Sequence, residues 1–341
     1  MNFLLSDEQT QIVDSLHDLL SEQMPVSRFR PPAPQIGNSD QAFWPQLGEL
    51  GFLGIGLPEE HGGIGLSAAE EMLAHREFGR HLLSPAILGL TLGARLAARL
   101  RPDLLEEILR GLLPIALANP RGSVQVGEIC HGEFHLIDAK QAEWILICSE
   151  HGSALLRRKD FTAVTDVLAT DHVLSLERGV LTGARPVCWL AESQECLYPR
   201  AQLLVSAYAV GLAEATRNMA VEYAKARQQF GKPIGSFQAI KHLCADMAIR
   251  AEAAACQVIF AALVLAEGRA GADFHSVAAK LVAVEAALQN AAQNIQVHGA
   301  IGFTAEADAH LFIKRAHVLE QLWGDTRQQR RMMLAAPFPD G

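Results

Sequence analysis

The sequence predicts a mainly α-helical chain interrupted once by a small β domain, and three observations carry that prediction. Half of the 341 residues are hydrophobic but only 6% are aromatic, so the apolar content sits in Ala- and Leu-rich stretches that suit long helices. Between 114 and 200 the pattern changes to short apolar runs separated by Gly, Asp, Pro and Ser, which reads as strands. From 201 onward the helical pattern returns and persists. These switches divide the chain into an N-terminal helical domain (1–113), a shortened middle β domain (114–200) and a C-terminal domain of four-helix type (201–341).

The elements follow in order. Ser6 stands before Asp7-Glu8-Gln9, a capping residue ahead of acids in a first turn. Ile12, Val13, Leu16, Leu19 and Leu20 then recur at helical spacing. A glycine-rich loop, Pro58-Glu-Glu-His-Gly-Gly-Ile-Gly-Leu66, precedes a second helix over 67–81 that carries Glu70, Glu71, His75, Arg76 and Glu77, expected as surface and interdomain pairs. Helices continue to about 113. The runs at Ile115, Phe134, Trp144, Ala154 and Ala163 are the expected strands of a small β domain of roughly 85 residues. A long helix then reaches about Arg227, Gly231 and Pro233 punctuate it, Ser236 is the expected cap of the next helix to about Glu267, and Asp273 begins another that reaches Gln296.

Composition excludes several classes of function. A net charge of −9 disfavours general nucleic-acid binding. The start Met1-Asn-Phe-Leu-Leu-Ser-Asp-Glu does not read as a signal peptide, and no apolar run of about 18–20 residues is evident, so no membrane span is expected. The six cysteines form no Cys-x-x-Cys pair and are expected as reduced thiols of a cytoplasmic protein. No His/Cys cluster has ligand spacing, so no metal is expected.

Three segments together resemble one family, the acyl-CoA dehydrogenases. Leu50-Gly-Phe-Leu-Gly-Ile-Gly-Leu-Pro-Glu-Glu-His-Gly-Gly-Ile-Gly65 is similar to its N-domain signature, Arg227-Gln-Gln-Phe230-Gly-Lys-Pro-Ile-Gly-Ser-Phe-Gln238 to its Arg-x-x-Phe-Gly…Gln element, and Gln296-Val-His-Gly-Ala-Ile-Gly302 with Arg315–Arg331 to its C-terminal end. The resemblance implies an acyl-CoA dehydrogenase-like fold, FAD as cofactor, an acyl-CoA substrate and an acceptor such as electron-transfer flavoprotein. It also implies cofactor contacts at Arg227, Phe230, Gln238, Gln296, Gly299 and Thr326. In the family the Arg, Phe, Gln and Gln-x-x-Gly contacts reach the FAD of a neighbouring subunit. A guanidinium suits the pyrophosphate of that cofactor, and an aromatic three residues later would lie near the same helical face. Ala300 replaces the second glycine of the turn.

The base is missing. The family's catalytic glutamate follows the aromatic of a Tyr-Glu-Gly-Thr turn, and the matching turn here is Trp323-Gly324-Asp325-Thr326. The alternative glutamate position, on the helix before the Arg-x-x-Phe-Gly element, falls near Ala201. Asp325 is a weak candidate better suited to capping the final helix, Glu320 reads as a solvated side chain, and His298 as structural. In the β domain, Leu117-Ala-Asn-Pro-Arg-Gly-Ser-Val124 stands in place of the flavin-covering Thr-Glu-Pro-Gly-Ala-Gly-Ser-Asp segment, and no Trp-Ile-Thr remains. The chain therefore resembles the shorter, degenerate subunit of α2β2 acyl-CoA dehydrogenases of bacterial steroid side-chain catabolism. It is expected to lack its own base, to complete a partner's active site and to act on a steroid side-chain CoA thioester. An active homo-oligomer using Asp325 or Glu320, and a non-catalytic scaffold subunit, are the alternatives.

Overall fold

In the computed structural model, residues 3–31 and 40–336 are described. Along the chain run helices α1 (Asp7–Gln23), α2 (Trp44–Glu49), α3 (Ala68–Arg80), α4 (Ala86–Leu100) and α5 (Pro102–Leu109). Strands β1 (Ile115–Gln125), β2 (Cys130–Ile137), β3 (Trp144–Ser149), β4 (Gly152–Arg157), β5 (Thr162–Asp166), β6 (Leu176–Ala184) and β7 (Cys188–Ala191) follow. Then come α6 (Tyr198–Ala226), a short hairpin of β8 (Gln228–Gln229) and β9 (Lys232–Pro233), and helices α7 (Gln238–Ala266), α8 (Ala272–His298), α9 (Ala309–Gln321) and α10 (Thr326–Ala335). The mainly α class with one β segment is what the periodicity predicts. The chain forms two compact units, residues 1–34, 72–82 and 202–341 in one, and 35–71 and 83–201 in the other.

The second of these units is built on a seven-stranded sheet of order β5-β6-β2-β1-β3-β4-β7, antiparallel except where β1 lies parallel to β3. Phe134, Leu136, Ile145, Ile147, Leu156 and Phe161 fill its core. Two glycines let α4 lie close on β1. A Cβ at Gly89 would sit 2.5 Å from the Ile115 carbonyl oxygen, and one at Gly93 would sit 2.4 Å from the Ile115 side chain. The segment 117–124 is absorbed into β1, where Pro120 faces Phe134 of β2 and the register shifts between Arg121 and Gln125. Gly122, at φ +76°, lies in that irregularity. Trp144 opens β3, as the sequence suggests. The loop Pro58–Leu66 uses its glycines physically: Gly62 has φ +77°, and a Cβ on Gly63 would meet the Leu57 carbonyl oxygen at 2.1 Å.

The other unit is helical. Ser6 caps α1 in a reciprocal box with Gln9. Helices α3 and α6 approach so closely that a Cβ on Gly79 would lie 2.0 Å from the Tyr208 carbonyl oxygen, and one on Gly211 1.8 Å from that of Arg76. Asn290 of α8 donates to the carbonyls of Ala213 (3.1 Å) and Met247 (2.9 Å), tying α8 to both α6 and α7. Buried Leu16, Leu20, Phe78, Leu212 and Phe312 each contribute about 1.5–3 kcal/mol of transfer free energy.

Several expectations are corrected here. Ser236 does not cap α7, because its hydroxyl donates to the Pro233 carbonyl (2.7 Å) and Phe237 occupies the N-cap without a side-chain bond. Glu71, His75 and Glu77 are not surface groups but are buried. Glu71 pairs with Arg200 and Arg95, and Glu77 with Arg80 at 2.9 Å. α7 is long and apolar enough to cross a membrane by length and composition, with a window of mean hydropathy 1.7 of which 39% is buried. In this fold Ala251, Ala254, Ala255, Val258, Ala261 and Ala262 of that helix are core residues. None of the six cysteines is placed in a disulfide, consistent with reduced thiols.

Candidate functional site

The site residues read from the sequence fall into two groups at different places along α8. The first lies where α6, the β8–β9 hairpin, the start of α7 and the end of α8 meet. Ala220, Ala224, Met247 and Val297 form a buried cluster there, flanked by Tyr223, Ile234, Ile240 and Leu243. The Tyr223 ring stacks on His298 at 4.1 Å and 24°, which brings the Arg227 segment beside the Gln296–Gly299 turn. The His298 ring bonds through Nδ1 to the Asn294 carbonyl (2.8 Å), in keeping with the structural role expected for it.

Arg227 and Phe230 do not share a helical face as the three-residue spacing suggested. α6 ends at Ala226, and the backbone N–H of Arg227 closes its last turn on Tyr223. The hairpin then reverses through Phe230 (φ +52°) and Gly231 (φ +75°), two consecutive positive φ values that match a type I′ turn. Phe230 is 91% exposed, and its ring meets the Phe237 ring edge-on at 6.1 Å. Arg227, Gln238, Gln296, Gly299 and Ala300 are exposed as well, and nothing lies within 4 Å of a Cβ built on Gly231 or Gly299.

This end of the unit thus offers a guanidinium, an exposed aromatic face and the N-terminus of α7 with no side-chain cap. Such an end can accept an anion and cover a planar ring. The residues present fit a dinucleotide.

The second group surrounds Gly324. Its φ of +102° lies where L side chains rarely sit, and a Cβ there would be 3.0 Å from Nε2 of Gln329. Trp323 before it also has positive φ (+55°), with its side chain buried. Three buried side chains hold the turn's carbonyls from behind. Lys280 donates to the carbonyls of Leu322 and Gly324 (2.6 Å to the latter), Gln202 to that of Trp323 (2.9 Å), and Gln329 to Trp323 (2.8 Å). Lys280 is 1% exposed, and burial brings its pKa down to about 7 against the opposing pull of Asp325 and Glu320.

Asp325 is the N-cap of α10, accepting from the Gln328 N–H at 2.8 Å while Gln328 reaches back to it. Glu320 accepts from the Thr326 hydroxyl at 3.2 Å. Both weak base candidates therefore have local structural partners. Ala201, at the alternative base position, is fully buried on α6. Thr326 belongs with this turn rather than with the Arg227 group. Lys280, which anchors the turn, and Gln296 are sixteen residues apart on α8, about 24 Å at 1.5 Å per residue.

Sequence reasoning missed Lys280, Gln202 and Gln329. One signal was available for the lysine: it stands alone among Val277, Ala278, Ala279, Leu281, Val282 and Ala283 in a helical stretch. Also missed was a gathering of His17, Glu77 and His81, whose ligand-capable atoms all lie within 4.8 Å of one another.

With this geometry in hand, comparisons place the chain. Residues 198–336 match the acyl-CoA dehydrogenase C-terminal domain and residues 6–100 its N-terminal domain, leaving 101–197 outside both matches. The chain is 31% identical over 331 residues to the acyl-CoA dehydrogenase IpdE2 of Mycobacterium tuberculosis, covering 96% of each. It is 36% identical over 313 residues to the acyl-CoA dehydrogenase FadE34 of the same organism, covering 88% of this chain but only 43% of FadE34. The ChsE4-ChsE5 complex of Mycobacterium tuberculosis shares its fold, with TM-score 0.86 and 24% identity over 98% of each chain. The chain belongs to the acyl-CoA dehydrogenases, a family of FAD-dependent oxidoreductases.

Proposed function

We propose that this chain is the subunit without a base in a heteromeric acyl-CoA dehydrogenase, lending FAD contacts to a partner that supplies the catalytic carboxylate. The observation that carries the reading is Gly324. The base position holds a glycine, its φ of +102° disfavours any other residue, and its nearest carboxylates serve as a helix cap and a hydroxyl acceptor. Meanwhile Arg227, Phe230, Gln238, Gln296 and Gly299 face outward, as contacts to a neighbour's cofactor would. That asymmetry is the reason for preferring a shared site to an active homo-oligomer.

The division into helical, β and helical domains (1–113, 114–200, 201–341) and an α2β2 assembly belong to the same reading. Bound at the shared site, FAD would supply the acceptor for the hydride that leaves the substrate's Cβ. The Arg227 guanidinium would hold its pyrophosphate, and Phe230 would cover a ring that the partner's cleft leaves open. The chain spans less than half the length of FadE34, so the greater part of that dehydrogenase has no counterpart here. A steroid side-chain CoA thioester is the proposed substrate and electron-transfer flavoprotein the proposed acceptor, both from the family resemblance. Cytoplasmic location goes with them.

The test is Arg227→Ala and Phe230→Ala in the co-expressed complex. Because both side chains are exposed, each variant should fold with wild-type stability while the complex retains less FAD and loses dehydrogenase activity. Full FAD occupancy in both variants would defeat the assignment.

A further inference from the structure

His17 of α1 and Glu77 of α3 meet through Nδ1 and Oε2 at 3.1 Å, and the ring of His81, just beyond α3, lies edge-on to His17 at 5.5 Å between centroids. We propose that His17, Glu77 and His81 form a divalent transition-metal site, two imidazoles and one carboxylate, of the kind that takes Zn2+ with a fourth position left to solvent. Nothing in the family reading or in the shared-site proposal requires it.

The groups are placed as ligands usually are. His81 is 8% exposed, and one ring nitrogen bonds to the Met24 carbonyl, while Nε2 is buried without a partner. A ring that donates from one nitrogen to a backbone carbonyl holds the other as a lone pair, the arrangement that orients metal-ligating histidines. Leaving that lone pair buried and unmet is unfavourable, and a metal ion would relieve it. Glu77 has its second oxygen, Oε1, held by Nε of Arg80 at 2.9 Å, so Oε2 is the one turned to the histidines. His17 is half exposed on its other side, which supplies an entry path.

Tetrahedral ligands at about 2.0–2.1 Å from zinc stand roughly 3.3–3.4 Å apart. The His17–Glu77 pair, at 3.1 Å, is a few tenths of an ångström inside that separation, and all three ligand atoms lie within 4.8 Å of one another. Charge selects the kind of cation. Arg80 lies on Glu77, and Arg28, bound to the carbonyls of Met24, Pro25, His81 and Leu82, lies near the His81 ring. Only one carboxylate opposes a metal's charge, so hard oxygen-seeking ions such as Mg2+ gain little, whereas ions that bond imidazole nitrogen gain most.

The experiment treats the full chain with a chelator, then titrates it with Co2+, followed by visible absorption, and with Zn2+ in competition. One equivalent is expected, with the intense visible bands of low-coordinate cobalt, displacement by Zn2+, and a rise in melting temperature. His17→Ala, at a half-exposed position that does not endanger folding, should weaken Zn2+ beyond the about 10–100-fold lost when only an outer partner is removed. His81→Gln should do the same, and neither variant should gain thermal stability from Zn2+. Zn2+ binding weaker than about 1 mM, equal affinity for Mg2+, or unchanged affinity in the His17→Ala variant would overturn the site.

Discussion

Replacing Lys280 with methionine removes the two hydrogen bonds that anchor the Leu322–Gly324 turn while keeping an unbranched side chain in the helix. Each carbonyl deprived of its donor costs about 1–3 kcal/mol. Gly324 keeps a long contact to Gln329 at 3.4 Å, and burying the lysine is itself unfavourable, so the net loss near pH 7 should fall at about 2–3 kcal/mol. The pH dependence separates this account from simple packing loss. Burial lowers the folded-state pKa of Lys280 to about 7, below its ordinary 10.5. Between those values the unfolded chain binds the extra proton, so this group's contribution to stability is fully present above the unfolded value and is lost as pH falls toward 7. Urea unfolding of wild type and Lys280→Met at pH 7 and pH 9.5 should therefore show a difference that widens at the higher pH. A loss below about 0.5 kcal/mol, or one that is the same at both pH values, would refute the reasoning.

Two further predictions rest on glycines. Gly211→Ala pushes a methyl group to within 1.8 Å of the Arg76 carbonyl oxygen, so α3 and α6 must separate; the loss should be about 3 kcal/mol, seen as a lower urea midpoint. Gly324→Glu, the substitution that restores the family's residue at the base position, meets φ +102° and should lower stability by about 1–2 kcal/mol without giving the isolated chain dehydrogenase activity. Substantial turnover by that variant alone would show that the chain keeps a complete site of its own.

Much of the fold was legible because local chemistry agrees with it. Ser6 and Asp325 are caps with their partners three residues on, the double glycine of the Pro58–Leu66 loop answers to real steric needs, and Trp144 opens a strand as its neighbours suggest. The errors came where the chain leaves its periodic pattern or where distant residues meet. Arg227 and Phe230 were read by helical spacing although α6 stops one residue earlier, and Ser236 looked like a cap but spends its hydroxyl on the preceding turn. Glu71 and Glu77 were read as surface and interdomain pairs and are buried instead, with partners such as Arg200 and His17 that are remote in sequence. Lys280 stood out as a lone lysine in an apolar helical stretch, but its role could not be read because what it holds lies more than forty residues away. The spacing of Phe230 from Arg227 suggested a shared helical face, and the structure instead leaves it 91% exposed at the tip of a hairpin.

The most direct test of the central claim is FAD stoichiometry and acyl-CoA oxidation measured on this chain alone and on the complex formed by co-expression with the neighbouring gene's product. The account predicts a chain that is colourless and inactive by itself, and a complex with one FAD per heterodimer that oxidises a bulky acyl-CoA. One FAD per monomer and turnover by the chain alone would contradict it.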